Sequence, residues 1–182
     1  SVEYDLLIDD PDSDNDLHFA GYETIPSSTM LQCIAAGLIT DITRKSILKL
    51  EKSSVINIWP EIKDSIFHAV DYCRNHYRIP VSRLLPYSAL LVPLCYFFLK
   101  NKNNPPNDLQ NKLLGQYFWW ASLSRRFSSA VESKIAQDLK RIDKILAGKP
   151  PTYKDDEQIE LTIDQLINKT FSAGDAFCKA VS

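Results

Sequence analysis

The chain has 182 residues, of which 45% are hydrophobic, 24% charged and 10% aromatic. That balance supplies a core for one domain and excludes a wholly disordered or fibrous chain. Five glycines are too few for Gly-rich phosphate loops and disfavour a turn-dense β-sandwich.

The net charge of −2 conceals a division. Residues 1–24 carry eight acids, Glu3, Asp5, Asp9, Asp10, Asp12, Asp14, Asp16 and Glu23, and no Lys or Arg. Fifteen acids then face all 21 bases in the remainder, a net +6. A basic body behind an acidic leader suits masked contact with nucleic acid, or simply a solvated loop. The DDPDSDND run has the turn-forming composition of the loop.

In chain order, residues 1–24 read as an irregular leader, with Tyr4, Leu6, Leu7 and Ile8 able to pair as a short strand. Residues 25–182 read as a helical domain. Ser27 or Ser28 is placed to cap a helix running through Met30, Ile34 and Leu38 to about Thr40. Thr43 is placed to cap a short helix carrying Ile47, Leu48 and Leu50. Pro60 then suits the first turn of a helix whose apolar stripe is Ile62, Ile66, Val70, Cys73 and Tyr77, closed by Pro80.

Pro86 is expected to open the next helix, and Leu84 to Leu99 is the longest apolar run. As a helix that run spans roughly 24 Å, short of the roughly 30 Å of a bilayer core. It also contains Pro86 and Pro93, so it reads as a buried core helix and not as a membrane span. KNKNNPPND is an exposed linker and the expected site of proteolytic nicking. A helix over about 108–123 follows, then one from Val131 with the stripe Val131, Ile135, Leu139, Ile142 and Leu146. Ser129 and Glu132 have capping-box spacing before it, and Gly148 and two prolines end it. Leu161 to Val181 suggests two more short helices. The fold class is all-α, a bundle of about six to eight helices with an irregular acidic N-terminal segment.

Cys33, Cys73, Cys95 and Cys178 are widely spaced among apolar residues and read as buried thiols of a reducing, cytoplasmic protein. A basic signal-peptide region is absent from the acidic N-terminus. The first residue is Ser, which fits a piece of a longer protein.

The chemistry-bearing signals are sparse. Asp64 and His68 lie four apart, but a metal site needs a third ligand and H-E-x-x-H is absent, so no metal ligands are expected. There is no G-x-S-x-G elbow and no local Cys-His signature. Carboxylates are densest in the leader, which has the composition of a chain too mobile to hold them at a fixed separation. No catalytic residue is assigned.

The richest segment is Tyr117 to Asp138, YFWWASLSRRFSSAVESKIAQD. Arg125 and Arg126 fall in a Ser-rich turn with Ser124, Ser128 and Ser129, just before a helix N-terminus. Two guanidiniums, hydroxyls and a helix N-terminus suit a phosphate or carboxylate. The alternative is structural: a serine caps the helix, and the arginines pair with Glu132, Asp138 or another acid. Lys134, Lys140, Arg141, Lys144 and Lys149 continue the basic charge. With Trp119, Trp120 and Phe127 they can form a stacking platform for unpaired bases, although aromatics at helical spacing more often make core. The candidate phosphate or nucleic-acid contacts are therefore Arg125, Arg126, Ser128, Ser129, Lys134 and Lys140.

LPYSALLVPLCYFF (Leu85 to Phe98) and FWWASLSRRFSSAVESKIAQDL (Phe118 to Leu139) together resemble the helical part of GmrSD-type proteins. IPSSTMLQCIAAGL resembles the helix that precedes them there, and the resemblance runs from about residue 17 to the C-terminus. Leu85, Pro86, Tyr87, Trp119, Trp120, Glu132 and Asp138 hold the structural positions of that pattern. The resemblance implies a bacterial, cytoplasmic protein of modification-dependent restriction or phage defence. Such proteins join a ParB/sulfiredoxin-like, nucleoside-triphosphate-using part to an all-α region and, in many cases, an HNH nuclease.

Neither the D-G-Q-Q-R signature nor any histidine after His76 occurs here, so neither catalytic centre lies in these residues. The implied role is an interaction or linker module. Its partners would be the flanking domains of the same polypeptide and DNA, with no membrane. It would hold no cofactor of its own, and NTP and a divalent metal would serve the full-length protein. The other implied role is a Ser-Arg-Arg turn that supplies phosphate or nucleotide contacts to an NTP-dependent nuclease. Phe127 stands where the family pattern has Tyr, and Ala130 where Gly is common, which argues against a left-handed turn there.

Overall fold

The structure, a computed structural model, describes residues 17, 20–39 and 42–153. Six α-helices make up the described part: α1 (Ser27–Leu38), α2 (Arg44–Ile47), α3 (Lys52–Asn75), α4 (Leu91–Lys100), α5 (Asp108–Leu123) and α6 (Val131–Leu146). Two 3₁₀ turns, Ser82–Leu84 and Ser88–Leu90, lead into α4, and the described residues contain no strand. The all-α architecture read from the sequence is therefore the architecture observed. The expected strand at Tyr4–Ile8 and the two helices within 161–181 lie outside the described residues.

α4 is the axis of the bundle. Its residues Leu91 to Phe98 are all buried, and α1, α3 and α6 all pack against it. An apolar helix of ten residues has no amphipathic face to turn outward, so it is stable only when neighbours enclose it. Pro93 sits within its first turn, where no intrahelical donor is required. No helix among the described residues is long and apolar enough to cross a membrane.

The surrounding helices each contribute one stripe. α1 buries Cys33, Ile34, Ala35 and Ala36, and α6 buries Ile135, Leu139, Ile142 and Ile145. α5 opens with a capping box: Asn107 accepts from the Gln110 backbone N–H, and the Gln110 side chain accepts from the Asn107 N–H. The preceding linker is more ordered than its composition suggests. Asn101 and Asn104 exchange side-chain amide bonds to each other's carbonyls, both 2.9 Å.

Four local expectations are corrected. Pro86 does not open α4, which begins at Leu91 after the 3₁₀ turn Ser88–Leu90. Pro60 does not begin a helix but lies inside α3, which starts at Lys52. A proline there removes one donor at a cost of roughly 3 kcal/mol. Val55 before it, with Ile62 and Ile66 after it, is buried, and burial of apolar side chains on both sides carries the helix through. The N-cap of α1 is Pro26, with no side-chain cap from Ser27 or Ser28. α6 is not opened by a Ser129–Glu132 box: its N-cap is Ala130 in the left-handed region at φ 50°, ψ 41°. The Ala-for-Gly departure thus does not prevent the left-handed turn. It makes that turn cost about 1–2 kcal/mol, because Cβ crowds the following carbonyl.

α1 meets α3 and α4 through Gly37. A Cβ there would fall 2.6 Å from Ile62 Cδ1, 3.0 Å from Leu99 Cδ2 and 3.2 Å from Ile58 Cδ1. Gly115 on α5 has nothing within 4 Å of the same position. Gly37→Val should therefore destabilise by about 1–3 kcal/mol through overpacking. Gly115→Ala should stabilise by about 0.5–1 kcal/mol through reduced backbone entropy. Chemical denaturation of both variants checks the opposite signs.

Cys33, Cys73 and Cys95 are free and buried as expected, whereas Cys178 lies outside the described residues. Burial pushes the Cys73 thiol up to about 12. A hydrogen bond with Cys33, then burial, raises Cys95 well above its ordinary value. Ellman's reagent at pH 8 should leave these three thiols unmodified until denaturant unfolds the bundle.

Candidate functional site

The turn between α5 and α6 carries the densest chemistry, and the backbone decides which arginine faces which way. Arg125 takes φ 56° and is exposed. The reversal turns Arg126 inward, its N–H bonded to the Ala121 carbonyl at 3.1 Å. Its side chain is 5% exposed and that of Asp138 is 0% exposed.

Asp138 is the hub. Its Oδ2 accepts from the Tyr117 hydroxyl at 2.9 Å and from Arg126 Nε at 3.3 Å. Its Oδ1 accepts from Arg126 Nη2 at 3.1 Å and from Arg141 Nη1. The two α6 members lie three residues apart and so share a face. Tyr117 and Trp120 have the same spacing on α5.

Among the described residues, Asp138 is the carboxylate that the two guanidiniums share. Neutral acceptors and π faces also contact them. Arg126 Nη2 also donates to Gln137 Oε1 at 2.8 Å and to the Lys134 carbonyl at 3.4 Å. Arg141 Nε donates to the Thr152 carbonyl at 3.2 Å. The Arg126 and Arg141 guanidiniums stand 5.4 and 4.8 Å from the Trp120 ring. Arg141 also lies 5.3 Å from the Tyr153 ring, which packs 4.1 Å from Trp120. Such desolvated cation–π contacts are worth up to about 2 kcal/mol.

Burial pushes the Asp138 carboxyl above the ordinary carboxylate range, while the two arginines pull it back. Burial and the adjacent Asp138 carboxylate push the Tyr117 hydroxyl well up, so it remains a donor.

The remaining candidates spread over the outside. Ser128 and Ser129 are exposed, and Ser129 Oγ accepts from Lys134 Nζ at 3.5 Å. Arg125, Ser128, Ser129 and Lys134 thus gather at the N-terminal end of α6. Lys140 is exposed farther along the helix and lines a separate groove. Glu132 accepts from the Arg44 backbone N–H at 3.1 Å, tying α6 to the start of α2.

Leu85 and Pro86 are buried. Tyr87 stands edge-on to Phe127 at 6.1 Å. Trp120 and Phe127 are core, but Trp119 remains 40% exposed and covers Tyr77 and Phe118. His68 and Asp64 do not meet through their side chains: His68 Nδ1 lies 2.7 Å from the Asp64 carbonyl. Among the described residues no group of three His, Cys, Asp or Glu is placed to hold a metal.

Tyr117 and Gln137 were given no role from sequence, and Arg141 was read only as part of the basic charge along the helix. The signal for Arg141 was its i+3 spacing from Asp138. For Tyr117 it was the i+3 partner Trp120.

A second depression, of about 610 Å³, lies between α1, the turn before α4 and the start of α6. Ser28, Thr29, Tyr87, Phe127 and Glu132 line it, giving a mostly neutral polar wall with one carboxylate.

Asp138→Asn removes a buried anion that pairs with two buried guanidiniums and should cost about 3–5 kcal/mol. Adding Arg126→Gln to that variant should cost less than the sum of the single losses, as a thermal-melt double-mutant cycle will register. No family model, curated protein or solved structure matches the chain.

Proposed function

We propose that this chain is a helical interaction module of a larger DNA-targeting protein, of the bacterial restriction or defence type that its motifs resemble. In this reading the module joins a triphosphate-using part to a nuclease and touches DNA through exterior basic residues. The observation that carries it is the division of labour within the SRRF turn. Arg126 joins Asp138 in locking α5 to α6, whereas Arg125 is exposed and Lys134 lies beside Ser129 at the surface.

Charge supports the same reading. Residues 17–153 carry eighteen bases against ten acids, a net +8, and a basic body favours a polyanion. A rigid turn that displays cations next to a helix N-terminus is suited to backbone phosphates, which position a protein without reading sequence.

The test is fluorescence anisotropy with a labelled duplex. With about three phosphates neutralised, affinity should fall by about 40-fold between 50 and 200 mM salt. Arg125→Glu with Lys134→Glu should weaken binding at least about tenfold at low salt, while Lys112→Glu on α5 should not. Binding indifferent to salt, or to the double variant, would overturn the DNA contact. If instead the turn serves a nucleotide, triphosphate will raise Tm and Arg125→Ala will abolish the rise.

A further inference from the structure

The end of the bundle away from the 3₁₀ turns holds a groove of about 860 Å³. It runs between the C-terminal end of α1, the α2 segment, the end of α4 and the middle of α6. Its floor is apolar: Ala36, Leu38, Ile39, Leu50 and Leu139 line it. Gly37 also lines it and, lacking a side chain, adds nothing to the floor. Leu38, Ile39 and Leu50 are only half-buried, so the floor retains open hydrophobic surface.

The rim is cationic. Lys49, Lys100 and Lys140 border the groove, and all three are exposed. Its one lining carboxylate is Asp143, which already accepts from the Tyr96 hydroxyl at 2.9 Å. Lys100 Nζ stands 5.4 Å from the Tyr96 ring, which holds that ammonium at the groove edge. An apolar trough between three ammonium groups suits an extended or helical segment that carries acids and a few large apolar side chains.

The chain itself contains such a segment. Residues 1–16 carry seven acids and no base, and they include the apolar cluster Tyr4, Leu6, Leu7 and Ile8. Their charge of −7 nearly balances the +8 of residues 17–153, whereas residues 154–182 carry six acids against three bases. Reach is sufficient. The Tyr4–Ile8 cluster lies nine to thirteen residues before Leu17, an extended reach of about 30–45 Å, while a body of this size has a radius of gyration of about 14 Å. Duplex DNA matches the lysines but offers nothing to the apolar floor.

We propose that residues 1–16 dock in this groove, the acids pairing with Lys49, Lys100 and Lys140 and the Tyr4–Ile8 cluster covering the floor. This inference stands apart from the DNA reading, because its test contains no nucleic acid.

The experiment is zero-length carbodiimide cross-linking of the full chain, followed by peptide mass spectrometry of the monomer. Links from acids of 1–16 should concentrate on Lys49, Lys100 and Lys140, exceeding those to the exposed Lys52, Lys112 and Lys149 at least fivefold. A Lys49→Glu, Lys100→Glu, Lys140→Glu variant should also be cut at least fivefold faster within 1–16 by an aspartate-specific protease. Leu6→Ser with Leu7→Ser should do the same without touching the folded body. Cross-links spread evenly over all exposed lysines would overturn the proposal, as would unchanged cleavage in both variants. Links to residues 154–182, or links found only in covalent dimers, would give the groove to the tail or to a second copy and overturn it equally.

Discussion

Eight consecutive side chains, Leu91 to Phe98, have no face toward water, and the rest of the bundle follows from that. A helix apolar on all sides cannot be stable alone in water, so its neighbours must each supply an apolar stripe. α1, α3 and α6 do so, and their polar faces turn outward by the same periodicity. The closeness of the α1 approach, set by the bare Cα of Gly37, determines how far the α1 end can lean over the core. That lean in turn frames the lysine-rimmed groove.

The second constraint is electrostatic. A buried carboxylate between two guanidiniums is a poor source of net stability, since desolvation offsets most of the attraction. Its value lies in exclusivity: Asp138 meets both Tyr117 and Arg126 only when α5, the following turn and α6 share one register. A slip of one residue on α6 would break both of these contacts, while the Arg141 pair, three residues along the same helix, would move with it. The cluster therefore selects one packing from the several that an apolar core alone would tolerate.

Legibility from sequence tracked the range of the forces involved. α5 and α6 were readable nearly to the residue, because apolar spacing and a closing Gly148 are local signals. The start of α3 was misread because Pro60 is locally a start signal, and tertiary burial of Val55 and Ile62 overrides it. Ala130 was misread because a left-handed alanine is costly in isolation; here it stands exposed, and its carbonyl accepts from the Lys134 N–H and the Ser133 hydroxyl. Which of Arg125 and Arg126 turns inward was not legible, because helical phase is lost across a turn. The structural alternative, an arginine paired with Asp138, did name the contact that forms. The groove could not be read at all, because its lining comes from four segments far apart in the chain.

One feature of the charge cluster reaches beyond the bundle. Arg141 holds the Thr152 carbonyl, Lys144 Nζ donates to the Thr152 hydroxyl at 2.8 Å, and Tyr153 lies against Trp120. The chain thus leaves the described bundle from a fixed point, riveted to the same residues that hold α5 on α6. Tension on any segment beyond residue 153 would load these contacts before it reached the apolar core. The cluster is in this sense a mechanical anchor, through which movement of an attached segment would be felt as a shift of α6.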